Sequence, residues 1–146
     1  MISGLILAAA TALPAPQSLP TMAVHAPKAV LTLQIADDEE KRERGLMSVT
    51  KLQPHTGMVF VFDREAQADF WMKDTLIPLD MVWVGADGVV RSIDAKVPIA
   101  PLDMPDNQIP LEHGTGKFVI ELASGEAAKD GIVPGTHLNE LIPLHT

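Results

Sequence analysis

The shortness of its apolar runs most limits what this chain can fold into. Past the N-terminal region they come as brief blocks: Val30 to Ala36, Met58 to Phe62, Ala68 to Lys73, Leu79 to Val84, Val89 to Val97, Phe118 to Leu122 and Thr136 to Ile142. Charges, glycines or prolines punctuate them, as at Asp63-Arg64-Glu65, Ile77-Pro78 and Pro134-Gly135. Blocks of this length suit strands, since core helices need longer stretches at a 3.6-residue period. In the first block Leu31, Leu33 and Ile35 alternate with Thr32 and Gln34, the pattern of a half-buried strand. Met58 to Phe62 is apolar on both faces and reads as a strand covered on both sides.

Gly85-Ala86-Asp87-Gly88 reads as a hairpin loop, and residues 98–116 as a long ordered loop. Asp37 or Asp38 can cap a short helix running to about Arg44. Its acids come first, its cations last, and Gly45 can end it. That helix has almost no apolar stripe, which suits a surface position. Gly125 to Asp130 reads as a single helical turn. The expected fold is mainly β with a minor α part: a compact β-sandwich or barrel-like domain of about seven short strands with one or two short helices.

The N-terminus suggests three parts. Residues 1–15 form a signal-peptide-like segment, because Ile2 to Leu13 is a short apolar run with small residues at Ala10, Ala12 and Ala15, although no basic residue follows Met1. Residues 16–27, with Pro16, Pro20 and Pro27, read as a linker or extended arm. Residues 28–146 then form a single domain. The expected location is periplasmic or secreted, and the apolar run is too short to span a bilayer as a helix.

Composition removes several functions. The net charge of -8 opposes nucleic acid as a partner, because such binding draws on cations that neutralise phosphates. The absence of cysteine removes thiolate catalysis and cysteine-ligated metals. No zinc-protease helix, nucleophile elbow or glycine-rich phosphate loop occurs, so no cofactor and no catalytic residue is assigned, and an enzyme is the less favoured class. Met47, Met58, Met72 and Met81 with His55 or His113 could hold Cu(I), but methionine more often fills cores, and no metal ligand set is assigned.

Chemistry concentrates between Phe70 and Asp80. Trp71 and Lys73 share a strand face, with Asp74, Thr75 and Asp80 near the bend at Pro78. Such a group can grip a small polar ligand by stacking and hydrogen bonds. Arg44 could add a guanidinium for a ligand carboxylate, or tie the helix to Asp80 or Glu121. Two other readings compete: a cofactor-free hydrolase or lyase using Asp80 and a second carboxylate such as Glu121, and a structural or protein-interaction domain in which these residues only build the fold. The sequence assigns no oligomeric state.

These segments also carry a resemblance. Glu43-Arg44-Gly45-Leu46-Met47, Gly57-Met58-Val59-Phe60-Val61-Phe62, the run from Phe70 to Met81, and Val119-Ile120-Glu121-Leu122-Ala123-Ser124-Gly125 together resemble the DUF192 (UPF0127) family. The resemblance spans roughly Lys28 to Ile142 and implies a compact β-rich domain, often behind an export signal, with no established activity. Asp74 stands where the family usually has Asn, and Trp83 where Phe or an aliphatic residue is commoner.

Overall fold

A computed structural model describes residues 12–146. Most of the signal-peptide-like segment lies outside the described residues. The elements are β1 (Thr21–His25), β2 (Val30–Ala36), α1 (Glu39–Arg44), β3 (Thr56–Trp71), β4 (Leu79–Val84), β5 (Val90–Val97), β6 (Leu111–Ala123) and α2 (Glu126–Lys129), with 3-10 turns at Asp106–Gln108 and Asn139–Leu141.

The architecture is mainly β, as the short apolar blocks require. It is one open six-stranded sheet in the order β1-β2-β3-β6-β4-β5, and it does not close into a barrel. This corrects the sandwich or barrel-like expectation, which rested on counting short strands. Two of the strands are long. Met58 to Phe62 and the Ala68 to Trp71 part of the next block merge into β3, because Asp63, Arg64 and Glu65 stay within the strand as exposed residues while a bulge between Val61 and Ala66 absorbs the change of register. Leu111 to Gly116, expected as loop, extends β6 by pairing with that outer half of β3. The final block forms an isolated bridge, Val89 with His137, and a 3-10 turn in place of a strand.

All neighbours pair antiparallel except β2 and β3. The proline-rich arm is extended, and its second half pairs with β2 as β1. Register then decides which side chains share a face. Met58 and Met81 flank Glu121 on one face, while Val59 and Val82 flank Ile120 on the other. The second face packs with Leu33, Leu122, Ala127 of α2 and Leu138. The first packs with Leu46, Met72, Trp83 and Ile109. Three of the methionines proposed as soft ligands, Met58, Met72 and Met81, are thus buried in this core.

Candidate functional site

Helix α1 begins where Asp38 accepts the Lys41 amide, and ends where the Gly45 amide donates to the Lys41 carbonyl. It buries no residue, as its lack of an apolar stripe requires. Arg42 anchors it to β3, donating from Nη1 to the Val61 carbonyl at 2.9 Å while its guanidinium lies 5.2 Å from the centre of the Phe62 ring. At the helix end Gly45 has φ 44, and a Cβ there would come within 3.2 Å of the Phe60 ring. Glycine therefore allows the turn and its close approach to the sheet.

Between α1 and the first face of the sheet lies a cavity of about 380 Å³. Its aromatic wall is built from β3. Phe70 packs edge-on against Phe60 at 4.9 Å, against Phe62 at 6.1 Å and against Trp83 at 5.4 Å. Trp71 is 37% exposed, too open for a core tryptophan, and it stands in the cavity wall. The Lys73 ammonium lies 5.2 Å from its ring centre and 2.7 Å from Asp106, whose carboxylate raises the lysine pKa.

The buried acid of this cavity is Glu121. It sits on β6 between Met58 and Met81, is buried, and lines the cavity. Burial alone pushes its pKa up to about 8, so near neutral pH the carboxyl is mostly protonated and can donate a hydrogen bond. Arg44 shares the wall. Its Nη2 donates to the Ala15 carbonyl of the arm, and its buried Nε has no partner among the described residues.

The structure thus brings Arg44, Trp71, Lys73 and Thr75 into one wall and leaves two of the sequence candidates outside it. Asp74 lies in a turn with φ 52, where its carbonyl accepts the Ser48 amide. Asp80 is buried beneath α2, and its carboxylate accepts the amides of Lys96, Gly125 and Ala127 at 2.8, 3.1 and 2.9 Å. Asp80 pairs with Leu122 while Glu121 pairs with Met81, so Asp80 and Glu121 face opposite sides of the sheet. Arg42, Phe60 and Phe70 also line the cavity, although the sequence reading gave them no such role. The available signal was Glu121 itself, a lone acid in an otherwise apolar strand core.

A second polar group lies on the other side of the sheet, where the turn before β3 meets α2. His55 donates its amide to Glu126 Oε1 at 2.8 Å, and its Nδ1 lies 2.6 Å from Asp130 Oδ1.

The DUF192 family model, described as an uncharacterized ACR, matches residues 22–139. The chain belongs to this family. No curated protein matches it. Among solved structures, this DUF192 domain is similar to a protein of Sinorhizobium meliloti 1021 described as a candidate transcription regulator. The identity is 28% and the TM-score 0.73, covering 84% of this chain and 95% of that one. It is also similar to a protein of unknown function from Novosphingobium aromaticivorans DSM 12444, at 30% identity and TM-score 0.66, covering 87% and 92%.

Proposed function

We propose that this DUF192 domain is an exported module that binds a small polar ligand in the cavity between α1 and the sheet. The observation that carries this reading is Glu121, a buried acid lining the cavity beside an aromatic wall. An acid held largely out of water at a cavity wall is a group that a ligand can stabilise by hydrogen bonding to it. The guanidinium of Arg44 stands in the same wall. Cations Arg42, Arg44 and Lys73 alternate there with acids Glu39, Glu43 and Asp69, which favours a neutral or zwitterionic ligand over a highly charged one. The regulator description of the S. meliloti relative does not transfer readily, because a net charge of -8 disfavours DNA.

A second reading has its own support. A carboxyl with a pKa near 8 in a cavity is also suited to proton transfer, so a hydrolase or lyase would use Glu121 rather than Asp80. Thermal shift against amino acids, sugars and short peptides tests the binding proposal. Stabilisation should appear for at least one class, and Glu121→Ala and Trp71→Ala should abolish it. Failure of every class to stabilise the protein would remove the proposal. Turnover of the stabilising compound, lost in Glu121→Gln, would establish the enzymatic reading.

A further inference from the structure

The turn before β3 and helix α2 meet around a group with no part in the cavity. Nitrogen and carboxylate oxygens of His55, Glu126 and Asp130 all lie within 4.8 Å of one another. Asp130 is fully buried, and its Oδ2 has no hydrogen-bond partner among the described residues. Glu126 is also buried, so two carboxylates sit together out of water with one imidazole to balance them. The imidazole is half exposed and leaves the group open to solvent on one side.

We propose that His55, Glu126 and Asp130 form a site for one divalent transition-metal cation of the zinc class. One imidazole nitrogen and two carboxylate oxygens form a borderline donor set, suited to such a cation and poor for the all-oxygen preference of calcium or magnesium. A cation would supply the partner that Asp130 Oδ2 lacks and neutralise both acids. Solvent at the His55 edge gives an entry path and room for water to complete the coordination. Burial pushes the Asp130 pKa up against the opposing hydrogen bond from His55, as expected of an under-compensated acid. The other histidine–carboxylate pairs, His25 with Glu140 and His113 with Asp69, are more open and have one acid each. The bound ion would join the turn before β3 to α2, linking segments far apart in the chain.

The test is calorimetric titration of chelator-stripped protein with zinc chloride, alongside thermal unfolding. The expected result is one equivalent bound, a raised melting temperature, and affinity weakened by about tenfold or more in His55→Ala and in Asp130→Asn. His55→Ala removes a half-exposed side chain and keeps the amide that bonds Glu126, so it should fold. Should Asp130→Asn not fold, the ring-nitrogen chemical shifts of the wild-type histidines give a second measurement, and zinc should move those of His55 before His25 or His113. The proposal is overturned if zinc does not bind stoichiometrically, if His55→Ala binds it unchanged, or if another histidine responds first. In those cases a proton shared between Glu126 and Asp130 accounts for the cluster.

Discussion

Glu121 stands on a central strand, buried away from most of the solvent, so its pKa rises from 4.5 to about 8 with burial as the cause. The unfolded chain releases this proton at the lower value and the folded chain at the higher. The contribution to stability is therefore fully present below about pH 4.5 and is lost as pH rises through about 8. A shift of this size corresponds to roughly 5 kcal/mol at most. Glu121→Gln keeps the shape of the neutral form and cannot ionise. The stability of the variant relative to the parent, from urea titrations, should rise steadily between pH 5 and pH 8.5. A difference independent of pH would show that Glu121 is solvated. Alternation with Ile120 and Leu122 made it legible that Glu121 points away from them, but what it meets there is decided by Met58 and Met81, which are distant in the chain.

Elements were more legible than their pairing. Helix α1 follows directly from Asp38, the order of its charges and Gly45, and β2 and β4 from their apolar blocks. The length of β3 was hidden because Asp63, Arg64 and Glu65 resemble a break, whereas exposed residues within a bulge accept charges without cost to the core. Asp80 shows the same limit. Its residue type suggested ligand chemistry, yet its position places it at the first amides of α2, where a carboxylate complements the helix end. Asp80→Ala would leave the amides of Lys96, Gly125 and Ala127 without their acceptor and should cost about 3 kcal/mol or more, read from the denaturant midpoint. A loss under about 1 kcal/mol would mean that water replaces the carboxylate.

Across the whole molecule, the arm ahead of β1 ties down the C-terminal end of α1. Gln17 Nε2 donates to the carbonyls of Lys41 and Gly45 at 2.8 and 3.0 Å, and the Leu19 amide donates to Gln34 Oε1 at 2.8 Å. The arm therefore satisfies the C-terminal carbonyls of a helix too short to be stable alone. Gln17→Ala should lower stability by about 1 kcal/mol and speed amide hydrogen exchange in α1 while leaving β4 and β6 protected. Uniform exchange across these elements would show that the arm has no specific hold on the helix.

The pairing of β3 with β6 also sets when the molecule can assemble. Gly57 lies beside Leu33 of β2 on one side but meets its other neighbour only at Leu122, and Trp71 pairs only at Leu111, so the middle of the sheet stays open until most of the chain has been synthesised. Contacts between such distant partners must overcome the entropy of closing a long loop, which makes folding slow. A nascent chain that ends before β6 has no complete core, and the last long strand acts as the latch that turns an unstructured polypeptide into a folded one.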